Sequence, residues 1–149
     1  MTYEIQKIEK EYVQHYQELV DCSSLVKAGK YIPDTYYVKN TVFVALMKVK
    51  SILRQRFPAK IDNFYKIPVN SCFRYPFTVL FGNKIDYPDM TDCRGHWTGL
   101  AIDFDFVSFT AQTGIDAKHL LMALNDAGFE QNLKNKGVPN EDHHLTLMK

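Results

Sequence analysis

His96-Trp97-Thr98-Gly99-Leu100-Ala101-Ile102-Asp103-Phe104-Asp105-Phe106 is the stretch that organises the chain. From Ala101 onward the residues alternate. Ile102, Phe104 and Phe106 fall on one side, Asp103 and Asp105 on the other, the pattern of a strand with one buried face. Asp103 therefore sits opposite the apolar row. His96 offers a neutral nitrogen donor upstream. An extended strand carries seven residues over about 23 Å, and two helical turns cover about 10 Å. Neither brings both side chains to one ion at bonds of about 2 Å. The chain must double back between them, and Gly99 is the residue free to turn sharply.

A second strand is expected at His143-His144-Leu145-Thr146-Leu147-Met148. Leu145 and Leu147 share a face with His143, and by alternation His144 points the other way. Two adjacent strands would then present Asp103 and His144 to one pocket. Glu141 and Asp142, just upstream, add carboxylates. Two imidazoles and a carboxylate around an open fourth position make a catalytic rather than a structural zinc site. Plainer uses exist for each residue. Asp103 would serve equally as a strand-end carboxylate bonded to backbone amides, and Glu141 as a solvated acid.

Working outward, Ile5, Ile8, Tyr12, Val13, Tyr16, Leu19 and Val20 recur at helical spacing, so a helix is expected over Glu4–Val20. Lys30 to Tyr37 reads as a loop broken by Pro33. Thr41–Phe57 is a second expected helix, with Val42, Leu46, Val49 and Leu53 as its buried stripe and Pro58 as its stop. Gly82 to Arg94 reads as a polar loop. Asp116–Ala127 is a third helix, capped by Asp116 and stopped by Gly128. Gln131 to Asn140 reads as loop. The irregular alternation predicts an α+β domain whose sheet is small and mostly antiparallel, flanked by helices.

At these residues a family resemblance emerges. His-x-x-Gly-x-Ala-x-Asp from His96 to Asp103, followed by an acid-x-x-His near the end, resembles the M15 family of peptidoglycan zinc metallopeptidases. That family includes D-alanyl-D-alanine carboxypeptidases and dipeptidases, and endolysins that cut between L-alanine and D-glutamate. Val69-Asn70-Ser71-Cys72-Phe73-Arg74 is similar to the family's SGYR segment, a strand ending in a substrate-side arginine. The layout matches from about Asn40 to the C-terminus. The resemblance implies the fold shared by zinc D-Ala-D-Ala peptidases and hedgehog-like domains. It further implies one Zn2+ held by His96, Asp103 and His144. Glu141 would be the general base taking a proton from the attacking water, and Arg74 would bind a substrate carbonyl or carboxylate. The family's acid lies three residues before its last ligand, as Glu141 does before His144. Five positions depart from the pattern: Arg94 replaces a serine, Cys72 and Phe73 replace glycine and tyrosine, and Asp142 and His143 stand where tryptophans are common.

The implied substrate is a peptidoglycan stem peptide or the D-Ala-D-Ala dipeptide. A non-catalytic, zinc-stabilised binding domain on the same scaffold is the other expectation. A single domain over residues 1–149 is expected, with residues 1–39 as a helical extension packed on a metallopeptidase core of residues 40–149.

Composition sets bounds. The chain has 149 residues, 46% of them hydrophobic, enough for one genuine core. A net charge of +1 gives no electrostatic case for nucleic acid. No apolar run reaches the roughly 18 residues of a membrane span, and no sequence feature points to a protein partner. Met1-Thr2-Tyr3-Glu4 does not open a signal peptide. The expectation is a cytoplasmic protein, or a phage-encoded one released to the cell wall. Cys22, Cys72 and Cys93, odd in number and irregularly spaced, argue against a disulfide framework and suit a reducing compartment. Cys93, which with Cys72 lacks any paired Cys-x-x-Cys spacing, is expected to be a buried apolar side chain rather than a metal ligand.

Overall fold

A computed structural model describes residues 18–74, 79–80, 84–85, 96–131 and 143–148. Strand β1 (Leu19–Asp21) opens them, followed by β2 (Val26–Ala28) and β3 (Tyr37–Lys39). Helix α1 (Asn40–Arg56) leads to β4 (Ile67–Ser71). A two-residue ribbon, β5 (Val79–Leu80) with β6 (Lys84–Ile85), comes next. A 3-10 turn at His96–Thr98 then enters β7 (Ala101–Phe104). Helices α2 (Phe106–Thr113) and α3 (Ala117–Asp126) precede β8 (Phe129–Gln131) and β9 (His144–Leu147).

Five strands form one sheet in the order β2-β4-β7-β9-β8. Only β2 and β4 run parallel; the other three pairings are antiparallel. Small antiparallel pairs, β1 with β3 and β5 with β6, complete the described architecture. The class is α+β, with a small and mostly antiparallel main sheet. Among the described residues, no helix is long and apolar enough to cross a membrane.

Directly opposed residues on neighbouring strands share a face. On one face Ile102 opposes Leu145, and Phe129 opposes Leu147. These four and Phe104 are buried in one cluster with the apolar stripes of the helices. The α1 stripe contains Val42, Leu46, Val49 and Leu53, as the spacing indicated. Phe104 meets Phe129 edge to face, with centroids 5.5 Å apart. With this face closed by helices, the polar residues of β7 and β9 are left to the other.

Five sequence expectations change. The helix expected over Glu4–Val20 does not reach its end, because Leu19 and Val20 belong to β1; residues 4–17 lie outside the described residues. Residues 18–39 of the expected helical extension hold three strands instead, and β2 is an integral edge of the main sheet. Val20, Val26 and Val38 are β-branched and suit a pleated surface, and pairing with neighbouring strands outweighs the helical spacing. The strand expected to continue through Phe106 ends at Phe104, and a helix absent from the sequence reading starts there. Strand β8 was likewise absent from that reading, and it takes Gln131 from the expected loop. Lys84 and Ile85, also expected in a loop, pair with β5.

Asp105 explains the switch from strand to helix. Its carboxylate accepts from Ser108 N (2.9 Å) as the N-cap of α2, from Ser108 Oγ (2.8 Å), and from Lys30 N (2.7 Å). One side chain thus ends β7, starts α2 and ties down the chain leaving β2. Burial raises its pKa, but the hydrogen bonds from Ser108 and Lys30 outweigh that and hold it below its ordinary value. A depressed carboxylate stabilises the fold fully above the unfolded-state value of 3.8 and loses that contribution as pH falls further. Asp105→Ala is expected to cost about 2 kcal/mol, from a lost cap and an orphaned Lys30 amide. Urea unfolding at neutral pH measures it, and the deficit should shrink in acid.

Candidate metal centre

Three elements deliver the ligands. β7 carries Asp103, and β9 places His144 directly across from it. These are the two residues that alternation pointed away from the apolar row. His96 comes from the 3-10 turn before β7. Gly99, at φ 75°, reverses the chain in a conformation that favours glycine. The reversed turn is held in place: Lys39 N donates to Gly99 O at 3.0 Å, and Arg74 N to His96 O at 3.4 Å. Space is also tight, because a Cβ on Gly99 would lie 2.8 Å from Leu19 Cδ2 and 3.0 Å from Lys39 Cγ.

The side chains converge. Asp103 Oδ1 lies 3.2 Å from His96 Nε2 and 2.9 Å from His144 Nδ1. The two imidazole rings are 4.7 Å apart, nearly perpendicular. One ligand atom from each residue falls within 4.8 Å of the others, so the group could hold a metal ion. Ligand atoms bonded tetrahedrally at about 2.0–2.1 Å are separated by about 3.3 Å. The 3.2 Å contact of His96 with Asp103 is already near that spacing, whereas the 2.9 Å contact of His144 Nδ1 with Asp103 is a hydrogen bond. His143 is exposed and lies outside the group; its carbonyl accepts from Phe104 N at 2.8 Å.

The protonation of His96 follows from its second nitrogen. Nδ1 lies 2.7 Å from the Cys72 carbonyl oxygen, which can only accept, so Nδ1 carries the hydrogen. In the neutral ring, Nε2 is then the nitrogen with the lone pair. It is buried and has no hydrogen-bond partner, so its 3.2 Å approach to Asp103 is a contact without hydrogen-bond geometry. An orphaned ring nitrogen beside a carboxylate fits a cation, with the outer hydrogen bond that metal-ligating histidines usually make. β4 supplies that acceptor. Its register with β7 shifts between Val69 and Ser71, a bulge that sets Ser71 opposite Asp103 and Cys72 just beyond.

Electrostatics agree. Burial would raise the Asp103 carboxyl, but the hydrogen bonds and positive charge of the His144 and His96 rings, both protonated in acid, outweigh it and hold the pKa well below the usual carboxylate range. Asp103 is therefore the anionic donor. With two neutral imidazoles the group carries one negative charge, leaving a bound divalent cation with net positive charge and Lewis acidity.

Arg74 follows β4, and its backbone is bonded to the ligand-bearing turn. Glu141, Asp142, Cys93 and Arg94 lie outside the described residues. Cys22 and Cys72 are free and buried, with no disulfide between them. The sequence reading missed the Cys72 carbonyl as the group orienting His96. No side-chain pattern signals a backbone acceptor. Comparison of the chain with family models, curated proteins and solved structures gives no match.

Proposed function

We propose that this chain is a zinc-dependent peptidase that hydrolyses a D-amino-acid-containing peptide bond of bacterial peptidoglycan, on the scaffold of the zinc D-Ala-D-Ala peptidases. The observation behind it is the convergence of His96, Asp103 and His144, with the His96 Nε2 lone pair buried and unused. A bound zinc ion would acidify water and polarise a carbonyl. Asp103 supplies the negative charge that retains the ion, and the Cys72 carbonyl keeps His96 in the ligating tautomer. Arg74 holds the substrate carbonyl or a terminal carboxylate through paired hydrogen bonds. Glu141 takes the proton from the attacking water and returns it to the leaving amine.

Among the described residues the group has three protein donors, and three donors with a fourth position open are the ligand count of a catalytic centre. That count favours hydrolysis over a purely zinc-stabilised binding domain. The substrate is a stem peptide or the D-Ala-D-Ala dipeptide, met in the cytoplasm or, for a phage-encoded protein, at the wall. The test is mass spectrometry of fragments released from purified peptidoglycan and from D-Ala-D-Ala by the zinc-loaded chain. New peptide termini should appear, vanish with a chelator and return with zinc. No cleavage of either substrate by a chain that binds zinc would refute the proposal.

A further inference from the structure

Ser71 ends β4 beside the metal centre, 6% exposed and directly opposite Asp103 on the same face of the sheet. Its hydroxyl oxygen lies 3.5 Å from His96 Nδ1, the one contact the hydroxyl makes among the described residues. The direction of that contact is fixed. Nδ1 carries the hydrogen that the Cys72 carbonyl holds at 2.7 Å, so it cannot accept from Ser71. The Ser71 oxygen therefore faces an N–H as a second, weaker acceptor, and its own hydrogen is left to donate elsewhere. A hydroxyl this deeply buried is rarely without an acceptor.

An acceptor stands across the register. Asp103 Oδ1 meets both histidines, while Oδ2 has no partner among the described residues. Opposed residues hold their Cβ atoms about 4.5–5.5 Å apart, and a serine and an aspartate so placed can share a charge-assisted hydrogen bond. Carboxylates that ligate a metal are themselves hydrogen-bonded, which fixes the angle at which they present the ligating oxygen. Resting on the zinc-centre reading above, we propose that Ser71 is a positioning residue. In the zinc-loaded chain its hydroxyl donates to Asp103 Oδ2 and holds Oδ1 toward the ion. The β4 bulge, which sets Ser71 opposite Asp103, then serves both ligands: the Cys72 carbonyl orients His96 and the Ser71 hydroxyl orients Asp103.

A double-mutant cycle on the full chain tests this, with zinc affinity read by competition against a chelator. Ser71→Ala should bind zinc about 10–100-fold more weakly than the wild type, the usual cost of losing a group that orients a ligand. In an Asp103→Ala background the same substitution should change affinity by less than about twofold, because the carboxylate it acts through is gone. A residue that only shapes β4, or supports His96 alone, would lower affinity equally in both backgrounds. Equal losses in the two backgrounds, or wild-type affinity in Ser71→Ala, overturns the proposal. Peptide cleavage does not enter this readout. A loss that depends on Asp103, in a chain that cleaves no peptide, upholds the role of Ser71 and removes only the hydrolase reading.

Discussion

Asp103→Ala is expected to lower zinc affinity by about a thousandfold or more. Loss of groups that merely orient ligands costs about 10–100-fold, and Asp103 contributes more than orientation. It is the anion of the ligand group, and both imidazoles meet the same oxygen, at 3.2 and 2.9 Å. Alanine would leave two neutral rings with nothing between them to balance a dication. Competition against a chelator of known affinity measures the loss, and His96→Ala and His144→Ala should fall in the same range. The wild type should bind zinc more weakly as pH falls, because protons compete for the imidazole nitrogens. Asp103, held ionised far into acid, adds nothing to that decline until the pH is much lower. Unchanged zinc affinity in Asp103→Ala would mean that the ion binds elsewhere.

Glu141→Gln is expected to cut peptide release by about 10²–10⁴-fold, the usual contribution of a positioned proton-transfer group. Zinc affinity should stay within about twofold, since glutamine removes the basic oxygen and not a metal ligand. Glu141 stands three positions before His144, at most about 10 Å along the chain, the spacing the proposed role calls for. The same variant discriminates the two classes of function, because a binding domain needs no base. Wild-type rates of cleavage in Glu141→Gln would assign the proton transfer to another group.

The pairing of β7 with β9 was legible because strict alternation has only two outcomes, and one buries Asp103 among phenylalanines. The doubling back at Gly99 was legible from chain length alone: His96 and Asp103 could not otherwise meet. Helix α2 was not. Ile102, Phe104 and Phe106 continue a period of two, while Phe106 and Phe109 fit a helix equally well. Asp105 decides between them through bonds to Lys30, 75 positions away, and to Ser108. Strand β8 is three residues long and exists by pairing with β9. The bulge in β4 and the acceptor role of the Cys72 carbonyl are backbone properties set by tertiary packing. Sequence therefore indicated which side chains meet, and packing determined how His96 is oriented.

The place of β2 bears on how small this protein can be made. Trimming to residue 40, where the likeness in layout begins, would strip the parallel neighbour from β4 and the Lys39 amide from the Gly99 carbonyl. β4 would become an open edge with Ile67 and Val69 uncovered, a template for aggregation. The minimal folding unit therefore includes the short strands before α1, and a shortened fragment would precipitate before its chemistry could be assayed.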